Sequence, residues 1–443
     1  MSQQKPIGSI PRRSFLRAAG CAIAAPIILP WSVLGATAPS KRINIGCIGV
    51  GRMGTGDLME TIGFDDVSIV AVCDLDSNRL SLAKKRVENF YAGKRPSGEY
   101  KGCATYADYR ELISRADIDT VQIALPDHWH TMPALAAARA GKDIFIQKPL
   151  TLTHAEGRLL SDTVRRYARV LQVGSQQRSD SRFRFGCELV RNGRIGKVHT
   201  VKVGLPTDPG GGSVTPMPVP PNLNYEMWLG PAPWAPYTED RVHPQKDING
   251  RPGWLRITDY CLGMITGWGS HHNDIVQWGL GTELTGPVEV SAEAEFPKDG
   301  LWDVHGLFRI EYTYASGTKV ICADDKRNKP GILFEGSEGW VWVDRGRIDA
   351  QPKSLLTSNI GPDEIHLYRS NSHKGNFIEC IKSRRETICP VEVGHRSCTV
   401  CILGHIAMVL GRKLRWDPEK EIFTNDVEAN RMLSRPYRGP WTV

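Results

Sequence analysis

The chain has 443 residues, enough for two domains, and its 41% apolar and 23% charged content describes an ordinary globular protein with a substantial buried core. The formal charge of +8 suggests a nucleic acid or an acidic membrane as partner, but Lys5, Arg12, Arg13 and Arg17, in a segment without acidic residues, supply half of it. No basic stripe interleaved with aromatics follows, which argues against nucleic-acid binding.

Residues 1–38 read as a targeting segment. Pro11-Arg12-Arg13-Ser14-Phe15-Leu16-Arg17 precedes an apolar run from Ala18 to Leu34 and then Ala36-Thr37-Ala38, the three parts of a twin-arginine export signal. Gly20, Pro26 and Pro30 break the run, so a permanent membrane span is not expected. The expected location is the periplasm or another exported compartment. Eleven cysteines in an exported chain would normally suggest disulfides. Here Cys47 and Cys73 fall in expected buried strands, and Cys398 and Cys401 share one face of an expected helix between His395 and Leu410. With no second pair or histidine at metal spacing, unpaired core thiols and no metal site are expected.

The domain after the signal, placed at 39–170, opens with the apolar strand Ile43–Ile48. It runs into Gly49-Val50-Gly51-Arg52-Met53-Gly54 and a helix-like segment. A strand ending in G-x-G-x-x-G and opening a helix suits a dinucleotide pyrophosphate. Gly49 makes the tight turn, Gly51 lets the backbone approach phosphate, and Gly54 lets helix pack on strand, while the helix N-terminus offers free N–H groups. A second strand, Val67–Val72, delivers Asp74 to where a carboxylate meets the adenosine ribose hydroxyls. That carboxylate would repel a 2′-phosphate, which favours NAD, although Arg79 nearby leaves NADP open. Strand 120–125 ends in Pro126-Asp127-His128-Trp129-His130, and strand Asp143–Ile146 ends in Gln147-Lys148-Pro149. Both polar clusters are expected at the carboxyl ends of a parallel, doubly wound sheet, facing the nicotinamide.

With these elements and a later His271-His272-Asn273-Asp274, the chain after residue 38 resembles the Gfo/Idh/MocA family of sugar and polyol oxidoreductases. Two positions depart from the family pattern: Gln147 stands for the Glu of Glu-Lys-Pro, and Gly267 for the first Asp of Asp-x-x-x-His-x-x-Asp. The resemblance implies a second domain at 171–443, an α+β unit built on an open, largely antiparallel sheet that holds the substrate. It also implies homo-oligomers assembled through that sheet. Local patterning agrees: 199–204, 288–294, 306–314, 319–323 and 339–343 are β-rich or alternating. Helices at 373–383 and 395–410 are expected to return toward the first domain. The segment 206–221, with six prolines and three consecutive glycines, is expected as an irregular loop near the substrate mouth.

Oxidising a secondary alcohol needs a base for the hydroxyl proton and a positive or donating group beside the developing alkoxide. Lys148 suits the second task, and by resemblance is the family's catalytic lysine. His271 is the expected base, with His272 able to exchange roles. Asp274, on the same helical face, is expected to orient the imidazole. His130 is expected to line the nicotinamide or sugar side, Pro126 to lie beside the cofactor, and Gln176 and Arg178 to hydrogen-bond substrate hydroxyls. Tyr260, within the aromatic stretch 254–268, would present a plane to a sugar. Export leaves no free nicotinamide pool, so a captive cofactor regenerated in place is expected. This suits an oxidoreductase working between two sugars, or alternatively an NAD-dependent glycosidase or lyase that oxidises transiently, eliminates and returns the hydride. A sugar-binding protein that retains the fold without catalysis is the third possibility, with Gly267 as its support.

Overall fold

Apolar runs alternating with amphipathic helices build the first layer, because each strand must be covered on both faces. The computed structural model describes residues 42–94 and 100–443; the expected export signal lies outside the described residues. Strand β1 (Ile43–Ile48) leads through α1 (Arg52–Thr61) to β2 (Val67–Cys73), and α2 (Ser77–Ala92) leads to β3 (Ala104–Tyr106). Then come β4 (Thr120–Ile123), α3 (Thr131–Arg139), β5 (Asp143–Ile146), α4 (His154–Arg166) and β6 (Leu171–Val173). All six strands pair in parallel, in the order β3-β2-β1-β4-β5-β6. The order reverses between β1 and β4, so the crevice over their carboxyl ends is the natural ligand site of such a sheet. Residues along β2 are buried on both faces, as helix cover on each side requires.

After α5 (Ser181–Arg191) the chain enters the second sheet at β7 (Val198–Leu205). Helix α6 (Gly269–Leu280) precedes β8 (Glu289–Ala294), β9 (Phe308–Thr313), β10 (Lys319–Asp324), β11 (Gly331–Gly336), β12 (Gly339–Asp344) and β13 (Arg347–Gln351). With β14 (Leu414–Asp417) and β15 (Ile422–Phe423) they form nine strands ordered β13-β12-β11-β7-β10-β9-β8-β14-β15. Only β7 and β10 pair in parallel. Alternation decides which face is covered: in β9, Phe308, Ile310 and Tyr312 are buried and the residues between them are partly open.

Helices α7 (His373–Ser383) and α8 (Val391–Leu410) follow the sheet hairpins. Helix α8 begins at Val391, after Pro390, one turn earlier than the sequence indicated. By length and composition it could cross a membrane, the one such helix among the described residues, but 83% of its apolar window is buried within the protein. It is a core helix packed on β8 and β9. Cys398 and Cys401 are buried on it, and all ten cysteines among the described residues are buried and unpaired. One hydrophobic core includes residues of both sheets, from Ile48 and Val121 to Val201 and Phe308, and thereby fixes the crevice of the first sheet against the second. The stretch 206–221 is irregular, anchored where Gly211 bridges Gly300 and Trp302.

Candidate active site

The turn after β1 separates three glycines by what surrounds them. At Gly49, with φ of +82°, an added Cβ would lie 2.3 Å from the Ala124 carbonyl oxygen, and at Gly54 it would lie 1.9 Å from the Gly49 carbonyl oxygen. Both positions are closed by backbone. At Gly51 the nearest obstacle is the movable tip of Arg79, 2.5 Å from the added Cβ. The space over Gly51 is therefore open apart from a flexible cation. Helix α1 starts at this point without a side-chain cap, whereas α2 is capped by the Asp76 carboxylate. Uncapped N–H groups, the positive end of the helix dipole and an adjacent guanidinium fit a pyrophosphate. Asp74 completes the cradle. Its Oδ2 accepts from the Val50 N–H at 2.9 Å and its Oδ1 from the Asp76 N–H at 2.9 Å. Burial pushes this carboxyl up, and those donors together with Arg79 oppose the rise. The residues fit a bound NAD.

From this cradle a cavity of about 840 Å³ runs across the carboxyl ends of β1, β4 and β5 and under the second sheet. Gly49, Gly51, Arg52, Met53, Asp74 and Arg79 line its cofactor end. Pro126, Asp127, Gln147, Lys148, Gln176 and His271 line the part beyond them, with Trp254, Trp268, Arg251 and Arg345. Lys148 Nζ donates to the Gly267 carbonyl oxygen at 2.8 Å. The backbone of Gly267 thus supplies an acceptor where the family pattern has an aspartate. Room is not the reason for the glycine, since a Cβ there would meet only Met264 Sδ at 3.9 Å. Burial lowers the Lys148 pKa, partly countered by Asp127. Burial, then Lys148 and Arg345, hold His271 well below the usual imidazole range. It is therefore neutral, and its Nδ1 is buried without a hydrogen-bond partner.

Gln147 also has a structural explanation. Its Nε2 donates to Asp57 Oδ2 at 2.8 Å, and the other oxygen of Asp57 lies 3.2 Å from Lys374 Nζ. Asp57 and Lys374 are both buried. A glutamate at 147 would lose this donor and set a second carboxylate against that of Asp57.

Six expected site residues are not on the cavity wall: Gly54, closed against the Gly49 backbone, and five others. His130 is 1% exposed, with Nδ1 2.7 Å from the Pro149 carbonyl oxygen and Nε2 2.9 Å from that of Leu125. It clasps the two strand-end loops together instead of facing a ligand, and burial lowers its pKa to about 4. Asp274 does not orient His271. Its carboxylate takes a bidentate pair from Arg178, at 2.6 and 2.9 Å, and the Ser397 hydroxyl at 2.7 Å. Arg178 is thereby spent, 2% exposed and facing the Trp278 ring at 5.0 Å, away from any substrate hydroxyl. His272 accepts the Trp268 indole N–H on Nε2 at 3.1 Å and has the Gln177 amide 3.2 Å from Nδ1, so it is not free to exchange roles with His271. Tyr260 is fully buried between His128 and Trp228, and Trp254 and Trp268 provide the aromatic planes in its place. The proline-rich 206–221 segment is also absent from the wall and reaches it only through Asp208, which pairs with Arg251 at 2.6 Å.

The sequence marks Asp127 only as a member of a strand-end cluster, with no role of its own, and does not mark Arg345. Asp127 sits in the turn after β4, three residues before His130, and its place just after a strand end was the available signal. Arg345 is the hairpin residue between β12 and β13, stacked 4.4 Å over the Trp268 ring, and nothing local marks it. A separate buried grouping, His154, His395 and Glu421, has its ligand-type atoms within 4.8 Å of one another. Arg158 and Arg396 already neutralise Glu421, at 2.8 and 3.0 Å, which disfavours a cation there.

Residues 43–175 match the model of an oxidoreductase family described as an NAD-binding Rossmann fold, and residues 207–443 match that family's C-terminal alpha/beta domain, GFO_IDH_MocA_C2. An alpha-N-acetylgalactosaminidase from Shewanella oneidensis is 33% identical over 177 residues, covering 36% of this chain and 38% of that protein. A myo-inositol 2-dehydrogenase from Thermotoga maritima is 29% identical over 183 residues, covering 41% of this chain and 48% of that one. The match thus spans less than half the length of either relative. Among solved structures, the WlbA dehydrogenase from Bordetella pertussis, in complex with NADH and UDP-GlcNAcA, superposes with a TM-score of 0.62 at 16% identity. That superposition covers 85% of this chain and 99% of the other, and establishes the shared fold.

Proposed function

Since the chain belongs to the Gfo/Idh/MocA oxidoreductase family and carries its NAD-binding Rossmann domain, we propose that it moves a hydride between a tightly held NAD and a secondary alcohol of a sugar or polyol. One observation carries this reading: Lys148, at the end of β5, and His271, on helix α6, share the wall of the cavity into which the glycine turn opens. NAD, when bound, supplies the hydride acceptor. Lys148, as an ammonium, donates to the substrate oxygen and stabilises the developing alkoxide. His271, kept neutral by its surroundings, accepts the hydroxyl proton. Trp254 and Trp268 give the sugar an apolar plane, and Gln176 a hydrogen-bonding edge.

Export through the twin-arginine route is part of this reading, supported by Arg12-Arg13 and the apolar run behind them. Assembly as a homo-oligomer through the open sheet is also part of it, and size-exclusion chromatography with light scattering checks it. Mass spectrometry of the purified protein should find NAD(H). Its reduced-nicotinamide absorbance should rise or bleach with one member of a panel of aldoses, uronates and inositols. No response to any member, with NAD bound, would sink the reading. The similarity to an alpha-N-acetylgalactosaminidase favours a second activity, redox-neutral cleavage of a glycoside. Release of nitrophenol from p-nitrophenyl α-N-acetylgalactosaminide without added NAD would support it.

A further inference from the structure

Lys148 is a cation with an incomplete environment. Its Nζ donates to one neutral acceptor, the Gly267 carbonyl oxygen, and the side chain makes no contact ion pair among the described residues. The opposite charge acting on it is Asp127, which reaches the same wall from the end of β4 as Lys148 does from the end of β5. Other carboxylates that open helices in this sheet spend their oxygens on backbone donors: Asp76, Asp108 and Asp180 each accept from N–H groups of the turn that follows. Asp127 does not. It stands in a short 3₁₀ turn that has no side-chain cap, it is 3% exposed, and its Oδ2 is buried with no hydrogen-bond partner. A buried carboxyl that caps no helix and leaves one oxygen unpartnered is costly to keep. Its place on the same wall as a buried amine gives the cost a purpose.

We propose, resting on the dehydrogenase reading above, that Asp127 is a positioning residue that acts through Lys148, keeping the amine charged so that an ammonium meets the developing alkoxide. Burial drives the two groups toward each other, raising Asp127 to about 7 and lowering Lys148. Each charged form is then worth more in the presence of the other. Cys261, Arg345 and Arg251 also act on Lys148; on Asp127, after burial, a hydrogen bond from the Cys261 thiol comes first, then Lys148, its own N–H and Glu156. Lys148 in turn acts on the neighbouring His130 and His271. Arg345 and Arg251 repel the ammonium, which makes a negative neighbour necessary.

Reductive methylation of the full-length protein with formaldehyde and cyanoborohydride, followed by peptide mass spectrometry, reads the free-amine fraction of Lys148 against pH without any substrate. In Asp127→Asn the Lys148 profile should move to lower pH, giving roughly three- to tenfold faster labelling near neutrality, a shift of about half to one unit. The alkaline limb of sugar-dependent NAD reduction should move the same way. Adding Gly267→Asp, which the open space at 267 admits, should return the profile toward wild type. A Lys148 profile unchanged by Asp127→Asn overturns the proposal. If that variant does not fold, infrared spectroscopy of the Lys148→Met protein replaces it. Without the amine, the protonated-carboxyl band of Asp127 should persist to higher pH than in wild type, and an unchanged band overturns the proposal equally. Labelling is independent of turnover. An unshifted profile with intact sugar-dependent reduction removes only the role of Asp127, whereas a shifted profile with no reduction by any sugar removes the alkoxide role and the dehydrogenase reading with it.

Discussion

On α6, His271 and Asp274 are three residues apart, yet they belong to opposite kinds of buried polar site. Asp274 is fully enclosed and fully paired, held by two Arg178 donors and the Ser397 hydroxyl. His271 is nearly as buried, but its Nδ1 has no partner and its neighbours on the cavity wall are Lys148 and Arg345. The first grouping ties α6 to α8 and to the turn after β6. The second is left incomplete and opens into 840 Å³ of space. Burial alone therefore does not distinguish a structural charge from a functional one; the completeness of its pairing does.

The contrast is broken most forcefully from the structural side. Arg178→Ala strands a carboxylate with no access to water, and should cost about 3–5 kcal/mol of stability by thermal or denaturant unfolding. Activity should be lost only in proportion to unfolded protein. Lys148→Met tests the other side. Reduction of the bound cofactor by the responsive sugar should slow by about 10²–10³-fold, with melting temperature and NAD content close to wild type. A fall in both stability and rate in either variant would mean that the two groupings are not separate.

Gly51→Ala sharpens the cofactor end. Because the added Cβ meets only the tip of Arg79, the protein should fold and purify with several-fold less bound NAD by mass spectrometry. Gly54→Ala, pressed against backbone, should fail to accumulate as folded protein.

The smallest effect is a pH dependence. Burial raises the folded-state pKa of Asp127 to about 7, above its unfolded value. Its contribution to stability is therefore complete below the ordinary carboxyl range and is lost as pH rises through about 7. Asp127→Asn removes that loss, so its stability relative to wild type should improve by about 1–2 kcal/mol between mildly acidic and mildly alkaline buffer, the neighbouring ammonium limiting the gain.

Much of this protein was legible before any coordinates. The glycine turn, Asp74 and the two strand-end clusters follow from short-range rules: a strand that stops, a turn that needs φ above zero, a helix that starts. Those rules put Lys148 at a strand end, and the cavity lies over that end. They misjudged His130, since nearness to a strand end does not say whether a side chain turns outward or clasps the loop beneath it. Asp274 and Arg178 were misjudged because their pairing joins residues 96 positions apart.

By itself, the sequence determined the order of the elements, the parallel character of the first sheet and the chemistry available at each strand tip, because these depend on periodicity and local backbone preference. Which of those polar groups is neutralised and which is left facing the cavity was decided only by the packing of α6, α8 and the β12–β13 hairpin against the first sheet. Charge pairing depends on distances between chain segments that no local pattern encodes.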